Sequence, residues 1–383
     1  MRILFLTHLY LPTLGGVQRS VRNLTVALAA RGHEVSIATH RPGGLFASAA
    51  VHEGIPVLGL DIPTPFSFGP RAAAKRVLLD AVNAIAIRRW CTRRRIQLVH
   101  CHLINVDTRY AAVGARATGA RTIVTLRGGE TEHWLAAHPR RRSYVARVLR
   151  EADYVTAVAG ALLRQACALV PAVGEKSQVV PNPVVPEALA ASAAPHGAVP
   201  LRPYVLFAGR LEAMKGVATL IDAFHRACAD PRFQPALLIA GEGALQPSLE
   251  AQARSGAGRS RIFFLGRRDF AATLALIREA EALVLPSRSS EGCPNVALEA
   301  MALGTPLLVS DLEALRELVA DGECGAVFSA GDPRALADEL QTLARDPARR
   351  ARYVAAARVR LAARHGLEAV LDEYERIYER LLM

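Results

Sequence analysis

The strongest chemical signal in the sequence is a pair of glutamates eight residues apart, Glu291 and Glu299, in the segment EGCPNVALEAMALGTP. The proline and asparagine after Glu291 favour a helix start, and the glycine before the final proline favours its end. Free N–H groups and the dipole at a helix start form an anion site, which Gly292 would let a ligand approach closely. Because two carboxylates would repel a phosphate, they are expected to hold sugar and ribose hydroxyls. The alternative is a capping acid and an ordinary helix glutamate.

A second segment carries two cations that could neutralise a diphosphate. It reads FAGRLEAMKG from Phe207 to Gly216, follows a predicted strand and opens a helix. Arg210 supplies a fixed guanidinium and Lys215 a mobile ammonium, which together can stabilise a leaving diphosphate without a metal ion. Taken alone, they could equally be two solvated loop cations.

A glycine pair after the first strand is a weaker signal. Gly15 and Gly16 precede a helical pattern, so backbone amides could approach a phosphate or a sugar there. The turn lacks the full GxGxxG spacing, and many turns resemble it.

The N-terminal half also carries polar residues at the ends of two predicted strands. His100 and His102 point to the same side of one strand, and Arg127 and Glu130 follow the next. Each histidine could be a core residue, a metal ligand or a contact to a sugar hydroxyl, but no further ligand set accompanies them. Arg127 and Glu130 could reach the same sugar or acceptor space.

Short apolar runs alternate with helical patterns along the chain, which predicts parallel strands covered on both faces. The predicted strands are Ile3–Thr7, Val35–Thr39, Leu98–His102, Thr122–Leu126, Tyr154–Val158, Gln178–Val180, Tyr204–Ala208, Ala236–Ala240, Ile262–Leu265, Ala282–Leu285, Pro306–Ser310 and Ala326–Phe328. A proline-rich stretch at 181–203 divides them and is interpreted as a hinge. We therefore expect an α/β protein with two doubly wound domains facing across a cleft, and ligands at the carboxyl ends of the strands.

Composition restricts the class of protein further. The chain has 383 residues, enough for two domains, and its six scattered cysteines form no CxxC pair. Reduced thiols in a cytoplasmic protein are the expected interpretation. No apolar run reaches the roughly 18 residues that a membrane-spanning helix needs, and the apolar N-terminus is interpreted as a buried strand rather than a signal peptide.

The net charge of +12 is concentrated in the N-terminal half. Segment 71–95 has eight basic residues and one acid, and segment 138–150 has five basic residues and no acid. Val77, Leu78, Val82, Ile85 and Trp90 interleave with the first segment at near-helical spacing. This pattern suits a helix on an anionic membrane surface such as the inner face of the plasma membrane, or equally a solvated helix face. No nucleic-acid-binding motif accompanies it.

Taken together and in this order, these segments resemble the family-4 retaining glycosyltransferases of the GT-B fold. The matching motifs are Gly15-Gly16, Arg31-Gly-His-Glu-Val35, His100-x-His102, Thr125-Leu-Arg-Gly128, Val180-Pro-Asn-Pro183, Gly209-Arg-Leu211, Lys215-Gly216, Gly241-x-Gly243 and Glu291-x7-Glu299. The resemblance implies an acceptor domain at 1–187, a nucleotide-sugar domain at 188–363 and a last helix at 364–383 that crosses back to the N-terminal domain.

The resemblance also implies roles for individual residues. Arg210 and Lys215 would bind the diphosphate and Glu299 the ribose, while His102 would contact the donor sugar. The sugar and phosphate would be held by Glu291 and by the amides of Gly292, Cys293, Asn295 and Val296. Three departures from the family pattern are Asn182-Pro183-Val184-Val185, Glu130 in place of a commoner Asp, and Asp311–Glu317.

The expected reaction moves a hexose from a UDP- or GDP-sugar to a hydroxyl of a lipid-linked or saccharide acceptor, without metal or other cofactor. It would serve cell-surface polysaccharide or glycolipid synthesis. Retention would come from attack by the acceptor on the face that the diphosphate leaves, or from a covalent intermediate on Glu291. The competing interpretations are another GT-B enzyme, such as an epimerase or a phosphorylase, and a non-catalytic basic protein that binds membranes.

Overall fold

A computed structural model describes residues 1–8, 10, 15–41, 48–62, 70–105, 108–128, 139–193, 203–289 and 291–383, without the side chains of residues 70–76 and 139–140. The chain divides into two compact units. Unit 1 comprises Met1–Pro183 and Glu368–Met383, and unit 2 comprises Val184–Leu367.

Unit 1 is built on a sheet whose central strands are buried on both faces. Its strands are β1 Arg2–Thr7, β2 Glu34–His40, β3 Ser48–His52, β4 Ile55–Leu60, β5 Leu98–His102, β6 Arg121–Leu126, β7 Tyr154–Ala157 and β8 Ser177–Val179. They follow the order β3-β4-β2-β1-β5-β6-β7-β8, and only β3 runs antiparallel to its neighbour. The order reverses between β1 and β5, which is where open α/β sheets bind ligands.

Two strands of unit 1 were not predicted. Strand β4 contains Pro56 and Gly59, which interrupt its apolar pattern, and β3 is a mostly exposed edge strand. The helices of unit 1 in the first half of the chain are α1 Gly16–Ala30, α2 Pro70–Arg94, α3 Arg109–Thr118, α4 Pro139–Glu151 and α5 Gly160–Leu169, followed by a 3-10 turn at Pro171–Lys176.

Unit 2 repeats the architecture with an all-parallel sheet. Its strands are β9 Tyr204–Ala208, β10 Ala236–Ala240, β11 Ile262–Gly266, β12 Ala282–Leu285, β13 Leu307–Ser310 and β14 Ala326–Phe328. They follow the order β11-β10-β9-β12-β13-β14. The chain winds outward from β9 to β11 and then returns to β12 on its other side, so the switch point lies between β9 and β12.

Helices cover the sheet of unit 2. They are α6 Pro186–Ser192, α7 Val217–Ala227, α8 Gln246–Ala253, α9 Phe270–Glu279, α10 Asn295–Leu303, α11 Glu313–Leu318, α12 Pro333–Arg345 and α13 Pro347–Arg364. Three 3-10 turns lie at Ala213–Lys215, Arg259–Arg261 and Ala320–Gly322. Phe207, Phe224 and Phe233 belong to one buried core, in which the last two rings meet edge to face at 5.7 Å.

The last helix, α14 Leu367–Leu382, has the apolar stripe that the sequence predicts. Its buried residues are Val370, Leu371, Tyr374, Ile377 and Tyr378. Arg31 binds the acidic face of the helix, with Nη1 at 2.7 Å from Asp372 and 2.5 Å from Glu375, and it also pairs with Glu368. From Glu368 onward the helix belongs to unit 1.

The predicted α/β class with two doubly wound units is confirmed. Within the described ranges, no helix has both the length and the apolar character needed to cross a membrane.

Candidate functional site

At the switch point of unit 2, the two segments with the strongest sequence signals come into contact. Lys215 ends the 3-10 turn that follows β9, and Glu291 lies in the loop that follows β12. The Lys215 Nζ is 2.5 Å from Glu291 Oε1, and the side chains are 21% and 8% exposed. A cation and a carboxylate 76 residues apart in sequence therefore form a largely buried ion pair.

Gly216 allows the two loops to approach this closely. Its φ is +66°, and a Cβ atom there would lie 1.8 Å from the carbonyl oxygen of Pro286. Only glycine avoids both the left-handed strain and that overlap. Next to it, the Arg288 N–H donates to the Met214 carbonyl at 2.8 Å, which ties the β12 loop to the β9 turn.

Ser287 is a site residue that the sequence analysis did not select. Its Oγ donates to Glu291 Oε1 at 2.6 Å, and the side chain is buried. Its own carbonyl accepts from Ser310 Oγ at 2.6 Å, so the neighbouring strand β13 holds it in place. The same carboxylate oxygen thus accepts from an ammonium and a hydroxyl. The signal in the sequence was a serine at the carboxyl end of a buried strand, four residues before Glu291.

Arg210 also follows β9, but its partner is different. Its side chain is 69% exposed, and its Nη1 lies 2.7 Å from Glu212 Oε1. An exposed pair of this kind contributes roughly 0–1 kcal/mol. Arg210 can therefore exchange Glu212 for a stronger anion at little cost in free energy.

The helix after Glu291 begins and ends where the sequence predicts. Pro294 occupies the N-cap position of α10 and has no side-chain acceptor, while Gly304 ends the helix with φ +79°. The positive end of the helix dipole at this start favours an anion. Gly292 and Cys293 are buried beside this start.

Three predicted donor-binding residues lie on α10 itself. Asn295 and Val296 form its first turn and are half-buried, and Glu299 follows in the second turn and is 6% exposed. The apolar residues Leu298 and Met301 of the same helix are also buried.

In unit 1, Gly15 is the N-cap of α1 and Gly16 its first residue. Gly15 has extended backbone angles, and a Cβ atom there would lie 2.5 Å from Gln18 Oε1, the end of a flexible side chain. The backbone conformation therefore does not itself require glycine at this position.

His102 lies at the carboxyl end of β5, beside the switch point of unit 1, and is 1% exposed. Its ring stacks on Phe5 at 5.3 Å and lies 4.2 Å from the ring of His100. Burial, His100 and Arg127 lower the pKa of His102 well below 6.5. The next residue, Leu103, has φ +78°, a conformation that side-chain-bearing residues rarely adopt.

Arg127 contacts His102 directly. Its Nε and Nη2 lie 3.1 Å and 2.7 Å from His102 Nδ1, and its Nη1 donates to Asn182 Oδ1 at 2.7 Å. Asn182 is buried. In the sequence it belongs both to the matching motif Val180-Pro-Asn-Pro183 and to a departure from the family pattern, and no role was assigned to it. Glu130 lies outside the described residues.

His100 is a bonded core residue. Its Nδ1 is 2.8 Å from the Tyr378 hydroxyl, and its Nε2 is 2.6 Å from Thr125 Oγ1. Thr125 in turn bonds Thr156 at 2.6 Å. Burial is the main cause that lowers the pKa of His100 well below 6.5.

The basic segment 71–95 forms helix α2. Three of its apolar residues lie on the surface, with Val77 71% exposed and Leu78 and Ile85 each 51% exposed. Trp90 is instead partly buried, and its Nε1 donates to Ser36 Oγ at 3.2 Å.

Two doubly wound units, with cations, carboxylates and a helix start at the switch point of the second, form the architecture of the GT-B glycosyltransferases. The chain belongs to the family-4 glycosyltransferases. Residues 14–188 match the model described as Glycosyltransferase Family 4, and residues 192–360 match Glycosyl transferases group 1.

Relatives agree with this assignment over nearly the whole chain. A phosphatidyl-myo-inositol mannosyltransferase from Mycobacterium leprae is 32% identical, over 95% of this chain and 93% of its own. A glycogen synthase from Mycobacterium tuberculosis is 30% identical, over 99% and 94%. The solved structure of sucrose-phosphate synthase from Thermosynechococcus elongatus shares the fold, with a TM-score of 0.77 at 23% identity and 99% and 98% coverage. The protein is thus a glycosyltransferase acting on nucleotide sugars.

Proposed function

We propose that this protein is a retaining, metal-independent hexosyltransferase that moves a sugar from a UDP- or GDP-sugar to a hydroxyl of a lipid-linked or saccharide acceptor. The observation that carries the proposal is the buried Lys215–Glu291 pair at the switch point of unit 2, next to the start of α10. The pair combines an ammonium, which can bind the diphosphate, with a carboxylate, which can accept hydrogen bonds from sugar hydroxyls.

In the proposed reaction, the bond between the anomeric carbon and the diphosphate oxygen breaks. Lys215, Arg210 and the start of α10 stabilise the charge that develops on the leaving oxygen, in place of a metal ion. The acceptor oxygen bonds to the anomeric carbon on the same face, and its proton passes to the leaving phosphate oxygen. Configuration is therefore retained.

The contacts of Glu291 support this route over a covalent intermediate. Its Oε1 already accepts from the Lys215 ammonium at 2.5 Å and from Ser287 Oγ at 2.6 Å. An oxygen engaged by two donors is a weaker nucleophile, whereas Oε2 stays suited to accept from a sugar hydroxyl. Mass spectrometry after reaction with a 2-fluoro sugar donor tests this, because an adduct on Glu291 would contradict attack on the departing face.

For the ribose we propose Glu299, and for the sugar His102 together with Glu291. Glu299 is buried in the second turn of α10, where a carboxylate can accept from the two hydroxyls of a ribose. We propose that four backbone amides bind the diphosphate and the sugar, those of Gly292, Cys293, Asn295 and Val296. At the start of helix α1, the amides of Gly15 and Gly16 are also proposed to contact the donor.

The proposed acceptor class rests on the relatives. The similar proteins include an enzyme named for mannosyl transfer to phosphatidyl-myo-inositol and one named for glycogen synthesis, so we propose a role in glycolipid or polysaccharide synthesis.

Helix α2 fits an acceptor at a membrane surface. Its exposed Val77 and Ile85 share a face with the exposed Arg88, which suits an anionic membrane surface. Salt-sensitive binding to phosphatidylglycerol vesicles, weakened by Ile85→Glu, is the expected result; equal binding to neutral vesicles would contradict the charge argument.

A panel of UDP-, GDP- and ADP-sugars tests the proposed reaction through thermal shift and release of nucleoside diphosphate. We expect one UDP- or GDP-sugar to stabilise the protein and to be turned over in the presence of EDTA. Arg210→Met should raise the KM for this donor, whereas Arg254→Met is a matched control, since Arg254 forms a similar exposed pair with Glu250 at 3.3 Å. Activity that EDTA abolishes, or no response to any nucleotide sugar, would contradict the proposal.

A further inference from the structure

The hydrogen bonds of His102 determine which of its ring nitrogens carries the proton. Both nitrogens that face Nδ1, at 3.1 Å and 2.7 Å, belong to the Arg127 guanidinium. A guanidinium only donates, so Nδ1 must be the acceptor. In the neutral ring, the proton therefore lies on Nε2.

The Nε2 atom is buried and, within the described part of the chain, has no hydrogen-bond partner. Buried donors are almost always paired in native proteins, so a donor of this kind requires an explanation. It lies at the carboxyl end of β5, where open sheets bind ligands, and it precedes the strained backbone of Leu103 at φ +78°. Strain of this kind gathers at functional sites.

The far side of the Arg127 guanidinium is also fixed. Its Nη1 donates to the buried Asn182 at 2.7 Å, so the plane of the guanidinium is held from two directions. Arg127 thus uses two nitrogens to orient His102 and a third to anchor itself. This leaves little of the side chain for the direct contact with sugar or acceptor that the sequence suggested.

We propose that Arg127 is a positioning residue that fixes His102 as the Nε2–H tautomer, so that His102 donates this hydrogen bond to a hydroxyl of the transferred sugar. The inference rests on the proposed function for the identity of its ligand. Through this arrangement, Arg127 acts on the sugar only by way of His102.

The surroundings also keep His102 neutral. Among the described residues, the titratable or charged groups in contact with its ring are His100 on the same strand and Arg127 after β6. Tyr374 and Tyr378 on α14 pack on His100. Burial, His100 and Arg127 all act to lower the pKa of His102. Without the Arg127 cation, that pKa rises and the Nδ1–H tautomer becomes accessible.

The experiment compares Arg127→Met with the wild type and with Arg116→Met, an exposed arginine on α3 of the same unit. Two-bond 1H–15N spectra of histidine-labelled protein, assigned with His102→Gln, report the tautomer directly. We expect Nδ1 of His102 to be unprotonated in the wild type and in Arg116→Met, and a mixture of forms in Arg127→Met. A protonated Nδ1 in the wild type would overturn the proposal.

Steady-state kinetics distinguish a positioning role of Arg127 from a purely structural one. We expect Arg127→Met to lower kcat/KM about 10- to 100-fold, the value of one charge-assisted hydrogen bond. The acidic limb of the pH profile should move to higher pH, because loss of the cation raises the pKa of His102. The same substitution is also made in a His102→Gln background, where the glutamine amide donates without a choice of tautomer. There Arg127→Met should lower kcat/KM less than about 3-fold, because Arg127 acts through the histidine ring. Equal costs in both backgrounds would overturn the proposal.

Asn182→Ala provides a second variant, since it removes the anchor of Arg127 and leaves both other side chains in place. It should shift the tautomer ratio in the same direction, and an unchanged ratio in this variant and in Arg127→Met would contradict the inference. Failure of the wild type to turn over any nucleotide sugar would instead refute the proposed function, while the spectra would still report on Arg127.

Discussion

Replacement of Glu291 by glutamine should strengthen the binding of a nucleoside diphosphate while it slows sugar transfer. Lys215 Nζ lies 2.5 Å from Glu291 Oε1, so a diphosphate competes with this carboxylate for the ammonium. Glutamine keeps the shape of the side chain and an acceptor for Ser287, but it removes the negative charge. The two effects therefore have opposite signs, which a general loss of structure would not produce.

The structure sets the size of the effect. A hydrogen bond to a charged group contributes about 1.5–3 kcal/mol, and each 1.36 kcal/mol corresponds to a factor of ten. Because Lys215 keeps 21% of its side chain exposed to water, the lower end of that range applies. We expect the Kd of UDP or GDP to fall roughly 10-fold in Glu291→Gln and to rise by at least a similar factor in Lys215→Met.

Isothermal titration calorimetry with UDP and GDP measures both changes, with Arg254→Met as the control that should bind like the wild type. Turnover of the nucleotide sugar, measured in parallel, should fall about 10-fold or more in Glu291→Gln, since the hydroxyl contact to the sugar is lost. If Glu291→Gln weakens nucleoside diphosphate binding as much as Lys215→Met does, Glu291 does not compete with the diphosphate for Lys215.

Three further predictions concern stability. Lys215→Met should lower the free energy of unfolding by about 3 kcal/mol, because it leaves the more buried Glu291 carboxylate with the Ser287 hydroxyl but without its cation. Glu291→Gln should lower it by less, and urea denaturation that gives the reverse order would contradict this. Gly216→Ala should cost about 2 kcal/mol or more, seen as a lower Tm, since the new methyl meets both a positive φ and a carbonyl; an unchanged Tm would contradict it. Because burial lowers the pKa values of His100 and His102, the unfolded chain takes up protons below pH 6.5 that the folded chain does not. The free energy of unfolding should therefore fall as the pH drops from 7.5 to 5.5, by up to about 1.4 kcal/mol per pH unit for each ring, and a flat profile in urea titrations would contradict this.

The sequence predicted the architecture well because the central strands are buried on both faces. The predicted strand Leu98–His102, for example, agrees residue for residue with β5, all of whose side chains are buried. Strand β4 was missed because Pro56 and Gly59 interrupt its apolar run. The predicted strands include β8, β11 and β14, which lie at sheet edges, whereas β4 lies inside its sheet. It is therefore the broken apolar run of β4, and not its place in the sheet, that hides this strand from the sequence.

The sequence also identified the segments with chemistry but not their contacts. Glu291 and Lys215 each had a separate signal, yet their ion pair depends on a switch point and on the tight turn at Gly216, which only the folded chain displays. Nothing in the sequence distinguished Ser287, which contacts Glu291, from any other serine that follows a strand.

For His100, His102 and Arg127 in unit 1, the sequence likewise predicted the residues but not their contacts. The shared face of His100 and His102 was predicted and is confirmed by their ring distance of 4.2 Å. The Tyr378 hydroxyl that bonds His100 lies 278 residues away, and Arg127 turned out to contact His102 rather than open space. Such partners come from tertiary structure, which spacing alone does not encode.

Turnover of the preferred UDP- or GDP-sugar by Lys215→Met, compared with the wild type and Arg254→Met, tests the central claim most directly. We predict that kcat/KM falls at least about 100-fold in Lys215→Met, because the leaving diphosphate loses its buried cation. In Arg254→Met it should change less than about 3-fold. Normal turnover by Lys215→Met would contradict the claim that this ammonium stabilises the leaving group.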